Sequence, residues 1–164
     1  MILMTERLEL VPLNARRLRL WVENMPALER ELNCTYRAEP LQGIFLDIVR
    51  KQLTITESDP DNCLWHSFWL LIRQGDRSVI GSADFKGTPD DQGQVEIGYG
   101  LGKEFEHCGY MTEAVAAMCD WALSQQGVQH VIAETEAENL ASKRILQRCG
   151  FISQTSSGTF QWML

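Results

Sequence analysis

Several features that would assign a function at once are missing from this sequence. No apolar run approaches the roughly 20 residues that a membrane-spanning helix needs. The N-terminal stretch MILMTERLEL has neither a basic segment nor a long apolar one, so we expect no secretory signal. Repeats, low-complexity segments and interdomain linkers are also absent. The 164 residues are therefore expected to form one domain, 1–164, with a sizeable core.

Charge and cysteine usage exclude further classes of protein. The formal net charge of -7 argues against non-specific nucleic-acid binding, which depends on basic patches. The five cysteines are odd in number and form no CxxC pair, which argues against a disulfide framework or a zinc site. The three histidines show no metal-ligand spacing. We therefore expect a cytoplasmic protein with reduced thiols, no metal, and neither nucleic acid nor membrane as a partner.

The most informative segment is a strand that runs through a loop into a helix. Gln94 to Leu101, QVEIGYGL, alternates apolar and polar residues with a period of two, which predicts a strand. Gly98 and Gly100 fall on its polar face. This placement indicates a bulge or a site where a ligand lies against the backbone, and an ordinary strand that tolerates glycine is the alternative.

The loop and helix that follow predict an anion-binding site. Residues 101–114 read LGKEFEHCGYMTEA, and Met111, Val115, Met118 and Ala122 then form an apolar stripe that predicts a helix ending near Gly127. Helix N-termini present unpaired N–H groups and about half a positive charge. A phosphate-bearing cofactor is the first candidate ligand, and the segment carries no dinucleotide-binding fingerprint.

A second strand and helix lie downstream. Residues 128–135 predict a short strand, and Asn139 and Gly150 predict the N-cap and the end of the next helix. Asn139, Ser142 and Leu146 are spaced i, i+3, i+7 and share one face, which could present an amide and a hydroxyl to a ligand. In the alternative, Asn139 only caps the helix and Ser142 is an incidental small residue.

The remaining pattern predicts an α/β (α+β) fold, in which helices flank a mixed, mostly antiparallel sheet. The apolar periodicity predicts a strand at 7–13, helices at 15–24 and 41–56, and a hairpin of strands 67–72 and 79–85. Two closing strands are predicted at 151–156 and 159–164, around Ser157 and Gly158. The helices in 15–56 would form one wall of an acceptor cleft.

Five motifs occur in order along the chain: TERLELVPL at 5–13, IGSADF at 80–85, VEIGYGLGKEF at 95–105, GYMTEA at 109–114 and ENLASKRILQRCGF at 138–151. Together they resemble the GCN5-related N-acetyltransferase (GNAT) superfamily, and most closely its branch of ribosomal-protein-alanine acetyltransferase-like enzymes. The resemblance implies a sheet of about seven strands with a cofactor cleft between two splayed strands. It also implies transfer of an acetyl group from acetyl-CoA to a protein N-terminus or small amine by direct attack in a ternary complex.

The resemblance implies a set of cofactor-binding residues. The backbone of Tyr99, Gly100 and Leu101 would bond the pantetheine arm, which Asn139 would also contact. Thr112 could add a hydroxyl to the phosphate site. The backbone of the loop would cradle the pyrophosphate, with Gly109 keeping the path clear; its members are Glu106, His107, Cys108, Gly109, Tyr110 and Met111.

The loop departs from the family at its start. Glu106 replaces the usual glutamine or arginine, and His107 replaces a usual glycine. At about 6 Å an ionised Glu106 would cost pyrophosphate binding roughly 1–3 kcal/mol, which protonated His107 could partly offset. A loop with reduced or lost cofactor affinity is the alternative interpretation.

The expected catalytic residues are Glu96 and Ser142. Leu146 stands where many family members have a tyrosine that protonates the coenzyme A sulfur, and leucine cannot do so. The resembled branch tends to have serine where Ser142 stands, so the resemblance implies Ser142 as the candidate acid, directly or through water. A hydrogen bond to the sulfur alone is the alternative role. Glu96 is the candidate base if burial raises its pKa, and Glu134 and Glu136 are alternatives.

Two rival functions remain open. Cys108 at a helix N-terminus could be a reactive thiol, which would suit a thiol-regulated, non-catalytic acyl-CoA sensor. A degenerate fold kept as a protein-interaction module is the second rival. The expected partners are acetyl-CoA and an amine acceptor, and we allow for a homodimer.

Overall fold

In the computed structural model, which describes residues 1–154 and 159–164, nine strands form one sheet. The strands are β1 Leu3–Met4, β2 Leu8–Pro12, β3 Thr35–Tyr36, β4 Phe68–Arg73, β5 Ser78–Phe85, β6 Gln94–Leu101, β7 His130–Glu136, β8 Ile152–Gln154 and β9 Thr159–Met163. Their order is β1-β2-β4-β5-β6-β7-β9-β8, and β3 pairs separately with β5. Pairing is parallel between β6 and β7 and between β3 and β5, and antiparallel elsewhere in the described chain.

This architecture confirms the predicted mixed, mostly antiparallel sheet with flanking helices. The two strands beyond the expected number of about seven are β1 and β3, each of two residues. The predicted closing pair is present as β8 and β9, although the part of that prediction at 155–158 lies outside the described residues.

Six α-helices are described: α1 Ala15–Glu23, α2 Met25–Leu32, α3 Gly43–Ser58, α4 Cys63–His66, α5 Tyr110–Leu123 and α6 Leu140–Arg148. The sequence patterns missed α2, a short helix with proline in its first turn whose N-cap Asn24 accepts a hydrogen bond from the Ala27 N–H. None of the described helices is long and apolar enough to cross a membrane.

The predicted end of α5 near Gly127 is wrong. The helix ends at Leu123, because the Ser124 N–H bonds to the Asp120 and Trp121 carbonyls and closes the last turn. The Ser124 hydroxyl donates to the Trp121 carbonyl as well, at 2.6 Å. Gly127, with φ of +87°, instead turns the chain toward β7.

The sheet buries a separate apolar cluster on each face. One cluster joins strands β5 to β7 to α5 and α6, through residues such as Ala83, Ile97, Val115 and Leu146. The other joins β2 and β4 to α1, α2 and α3, through residues such as Trp21, Val49 and Phe68. Because successive side chains of β6 alternate between the faces, Ile97 and Tyr99 join the first cluster, whereas Glu96, Gly98 and Gly100 face the side of α3.

The strands β6 and β7 separate part-way along their length. They pair only where Gln94 to Glu96 lie beside His130 to Ile132. Beyond that point β6 continues along β5, and β7 continues along β9. An opening therefore lies between the C-terminal halves of two neighbouring parallel strands, as the resemblance implied.

Candidate active site

A cleft of about 770 Å³ occupies the opening between β6 and β7. It is bounded by the second half of β6, the loop before α5, the first turn of α5, the end of β7 and one face of α6. It brings together every predicted site residue except Cys108: Glu96, Tyr99, Gly100, Leu101, Glu106, His107, Gly109, Tyr110, Met111, Thr112, Asn139 and Ser142. Cys108 lies in the same loop with an exposed side chain, and its thiol is 3.5 Å from the Glu106 carbonyl.

The backbone of β6 presents polar groups to this cleft. The Lys86 N–H donates to the Glu96 carbonyl and the Gly102 N–H donates to the Ile80 carbonyl, each at 2.8 Å. The even-numbered residues of β6 therefore bond to β5. Since ladder bonds alternate along an antiparallel strand, the N–H and C=O groups of Ile97, Tyr99 and Leu101 face the opening. This is the arrangement expected of a strand that binds an extended amide-containing chain.

The two glycines of β6 serve different purposes. A Cβ atom at Gly98 would lie 2.9 Å from Lys86 Nζ and 3.0 Å from Asp84 Oδ1, so glycine leaves room for those side chains. A Cβ atom at Gly100 would meet no heavy atom within 4 Å. Gly100 therefore borders open space, which supports the interpretation that a ligand lies against the backbone there.

The loop before α5 presents a row of backbone donors. Among the described residues, no acceptor bonds the N–H groups of residues 107–112. The row turns at His107 and at Gly109, the N-cap of α5, both of which have left-handed backbone with φ of +63° and +83°. Successive N–H groups around left-handed residues at a helix N-terminus form a concave anion site. The histidine at 107 carries a conformation that glycine adopts without strain.

A salt bridge braces the loop from behind. Arg7 Nη1 donates to the Cys108 carbonyl at 2.9 Å, and Arg7 Nε donates to Glu113 Oε2 at 2.8 Å. Glu113 also accepts hydrogen bonds from the Arg7 N–H and the Thr5 hydroxyl. Burial raises the pKa of Glu113, but these hydrogen bonds outweigh it and hold that pKa below its usual value. The connection between β1 and β2, which holds Thr5 and Arg7, therefore fixes both the loop and the first turn of α5.

Side-chain charge around the loop is mixed. Glu106, the predicted mismatch, is half-exposed, and its Oε2 lies 4.0 Å from His107 Nε2. Arg144 and Arg148 lie one turn apart on the exposed face of α6 and line the same cleft. In the described part of the chain neither arginine pairs with a carboxylate. Two cations are thus available near the anion site.

The opposite end of the cleft is acidic. Glu96 is half-buried there, with Glu134 and Glu136 on the facing strand and Lys86 beside them. Burial raises the pKa of Glu96, and the negative charge of Glu134 raises it further, against an opposing effect of Lys86. A carboxyl group with a raised pKa accepts a proton more readily, as a general base requires.

A tyrosine and a serine meet between these two ends. The Tyr99 hydroxyl lies 2.6 Å from Ser142 Oγ, and either oxygen can be the donor. Burial raises the pKa of Tyr99 to about 12, and the Ser142 bond opposes that rise. The Asn139 side chain accepts a hydrogen bond from the Ser142 N–H at 3.1 Å, so Asn139 caps α6 while also lining the cleft.

The predicted shared face of Asn139, Ser142 and Leu146 is wrong in its last member. Leu146 is fully buried in the core below α6, whereas Asn139 is exposed. Asn139 is the N-cap of α6, with φ of -81° and ψ of 75°, so it lies outside the helix and its side chain does not follow the helical periodicity. Leu146 lies within α6 and belongs to the core cluster that joins α5, α6 and the sheet.

The protein-family model described as "Acetyltransferase (GNAT) domain" matches residues 7–152 of the chain. The chain belongs to the GNAT family. The GNAT match spans β2 through the start of β8 and therefore includes the whole cleft.

Individual relatives agree with this assignment. The chain is 32% identical to the "uncharacterized N-acetyltransferase YjdG" of Bacillus subtilis (strain 168) over 93 aligned residues. The aligned segment covers 57% of this chain and 55% of that protein. The chain thus spans about half the length of the curated relatives that it matches.

Solved GNAT structures share the fold. A ribosomal-protein-S5-alanine acetyltransferase from Vibrio fischeri superposes with a TM-score of 0.68 at 16% identity, over 99% of this chain and 94% of that one. RimL, a ribosomal L7/L12 alpha-N-protein acetyltransferase in complex with coenzyme A, gives a TM-score of 0.68 at 14% identity, over 100% of this chain and 97% of that one. At these identities the likeness establishes the fold alone.

Sequence reasoning about this GNAT domain missed several cleft residues. Arg144 and Arg148 are spaced i, i+4 in the sequence, which places them on one helix face, and that spacing was the available signal. The Tyr99 side chain lay on the face interpreted as apolar, so its hydroxyl was overlooked. Arg7, which braces the loop from behind the cleft, carried no signal, because its partners Cys108 and Glu113 are more than 100 positions away.

Proposed function

We propose that this GNAT domain is an N-acetyltransferase that moves an acetyl group from acetyl-CoA to a primary amine, which attacks directly in a ternary complex. The observation that carries the proposal is the polarity of one continuous cleft. Backbone donors of residues 107–112 line one end, and Glu96 with its neighbouring carboxylates lines the other. Such a cleft suits a ligand with phosphates at one end and a reaction with a basic amine at the other.

The residues present fit coenzyme A. The unpaired donors around Gly109 suit the pyrophosphate, and the inward N–H and C=O groups of Tyr99 and Leu101 suit the amides of pantetheine. Arg144 and Arg148 add positive charge for phosphates, and Gly100 allows close approach to the strand. Acetyl-CoA supplies the activated acetyl thioester, and the protein residues position it and move protons.

Glu96 is the proposed general base. It lines the cleft on β6, near the point where the strands part, and its raised pKa keeps it a stronger base than an exposed glutamate. The amine that attacks must lose one proton to reach the neutral amide product. Glu96 accepts that proton, directly or through one water, and returns it to solvent.

Tyr99 and Ser142 form the proposed acid pair. Their 2.6 Å contact lies on the α6 wall, where the sulfur of coenzyme A would leave. A phenol is a much stronger acid than a serine hydroxyl, so Tyr99 donates the proton and Ser142 orients it and relays its replacement. In this arrangement Tyr99 supplies from β6 the hydroxyl that Leu146 cannot supply from α6. The acceptor is the primary amine of a protein N-terminus or of a small molecule.

The test measures coenzyme A release with acetyl-CoA and a panel of small primary amines and N-terminal peptides, together with calorimetric binding of acetyl-CoA. We expect saturable release that needs both substrates. Binding without release in any arm would favour the acyl-CoA sensor, for which the exposed Cys108 is the motivating residue. Absence of both binding and release would favour the interaction module.

A further inference from the structure

A second cavity, of about 280 Å³, lies on the α3 side of the sheet. Its floor is formed by β5 and β6, and its walls by α3, β4 and the segment after β3. The lining residues include Ile44, Phe45, Ile48, Phe68, Ser82 and Asp84. Glu39, Lys86, Tyr99 and Gly100 line both this cavity and the cleft between β6 and β7. The two spaces therefore meet at the bare face of β6.

The walls of this cavity are apolar and reach the surface. Phe45 and Phe68 pack edge to face against each other, with ring centroids 6.2 Å apart. Ile44 and Ile48 stand at the rim, where their side chains are 80% and 44% exposed. Phe45 and Ile48 of α3 both line the cavity. Exposed branched apolar side chains around a cavity indicate an apolar ligand.

The floor holds a buried carboxylate. Asp84 is only 4% exposed, and among the described residues its one charged partner is Lys86, whose Nζ lies 3.9 Å from Asp84 Oδ2. This distance exceeds that of a hydrogen bond. A buried carboxylate without a close donor is costly to the fold and is rarely retained without a ligand or a metal to bind. Asp84 lines this second cavity, and Gly100 on the neighbouring strand leaves open space beside it, so the carboxylate is reached from the cavity.

From this geometry we infer that Asp84 binds the amino group of the acceptor, and that the cavity beside it takes an uncharged apolar substituent attached next to that amine. The inference rests on the proposed function and narrows the acceptor class to amines that carry a branched aliphatic or aromatic group. Asp84 receives the ammonium form, and the amine then passes through the open space at Gly100, which the cavity shares with the cleft, to reach Glu96 and lose its proton. A cavity of this size and lining excludes long polycationic amines.

The test uses leucine amide as the probe, glycine amide as its truncated control, and two protein variants. Asp84→Asn keeps the shape and removes the charge, and Asp120→Asn makes the same change on the exposed side of α5. Binding of leucine amide is measured by calorimetry, with and without saturating coenzyme A, and turnover is measured with acetyl-CoA. We expect leucine amide to exceed glycine amide about tenfold or more in kcat/KM. We expect Asp84→Asn to raise the KM for leucine amide about tenfold to a hundredfold and to leave the affinity for acetyl-CoA unchanged.

Thermal unfolding separates a binding role from a structural one. Replacing a buried, poorly paired carboxylate with the neutral amide should leave the Tm unchanged or raise it. A lower Tm, a KM within twofold of the wild type, or equal use of the two amides would each overturn the inference. Because amine binding is measured apart from turnover, a protein that releases no coenzyme A but binds leucine amide through Asp84 would overturn only the proposed function. Absence of amine binding in both arms would overturn the inference.

Discussion

The two ends of the cleft achieve opposite charge by different means. The phosphate end relies on backbone N–H groups of residues 107–112, fixed by the N-terminus of α5 and by the brace from Arg7 to Glu113. The other end, where we propose that the amine reacts, relies on the side chains of Glu96, Glu134 and Glu136, and Asp84 lies in the adjoining cavity. Backbone donors persist when side chains change, whereas a carboxylate is lost with one substitution. The phosphate end should therefore tolerate mismatches such as Glu106, and the amine end should not.

The largest expected effect is at Glu96. Glu96→Gln should lower kcat about a hundredfold to ten-thousandfold, with acetyl-CoA affinity within a few-fold of the wild type. In the wild type, activity should be lost as the pH falls through the raised pKa of Glu96, because only the ionised carboxylate accepts the proton. The measurement is a pH profile of kcat for both proteins, with Glu138→Gln as the control outside the cleft. If Glu96→Gln keeps its kcat within threefold of the wild type, Glu96 is not the general base, and Glu134 or Glu136 becomes the candidate.

The next effect concerns the pair between the two ends. Tyr99→Phe and Ser142→Ala should each slow turnover about a hundredfold and change acetyl-CoA binding much less. Because the two hydroxyls act as a unit, turnover by the double variant should be little slower than turnover by the slower single variant. Steady-state kinetics of the wild type and the three variants gives this double-mutant cycle. Additive losses would show that the two hydroxyls act independently, and an unchanged Ser142→Ala would leave Ser142 as a structural residue.

A smaller effect is expected from the side chains at the phosphate end. Arg144→Gln with Arg148→Gln should weaken acetyl-CoA binding about tenfold at low salt, and the loss should shrink as salt rises, because both side chains are exposed. Calorimetric titration at two ionic strengths measures this. The exposed Arg50→Gln on α3 is the control. A loss that is equal at both salt concentrations would mean that the arginines act through packing.

The smallest expected effect has the opposite sign. Glu106→Gln should tighten coenzyme A binding by about 1 kcal/mol, and Glu106→Arg should tighten it further at low salt. The gain in coenzyme A affinity should be modest, because Glu106 is half-exposed to solvent and lies near His107. The gain should vanish with pantetheine, which lacks the pyrophosphate. Unchanged affinity in both variants would show that the side chain points to solvent, and weaker affinity would show that Glu106 supports the loop.

The sequence predicted those parts of the site that depend on local order. The alternation of β6 and the cap at Asn139 are each encoded within a few residues. The departure at Glu106 came instead from the resemblance to the GNAT superfamily, and the phosphate loop stays a prediction.

The remainder depends on contacts between distant segments. The brace joins Arg7 to Glu113 across 106 positions, and the Tyr99 hydroxyl meets Ser142 across 43. The role of Asp84 needs the pairing of β5 with β6 and the position of α3 together. Hydrophobic periodicity assigns residues to faces but does not state which partner covers each face, so these contacts had no sequence signal.

Binding of acetyl-CoA in the cleft between β6 and β7 is what the proposed function requires first. The decisive measurement is thermal unfolding with acetyl-CoA and, in a parallel arm, with NAD, which also carries a pyrophosphate. Acetyl-CoA at a hundred times its dissociation constant should add about 2.7 kcal/mol to the free energy of unfolding, and NAD should add little. No stabilisation at millimolar acetyl-CoA, or equal stabilisation by NAD, would contradict the assignment of a working acetyl-CoA site.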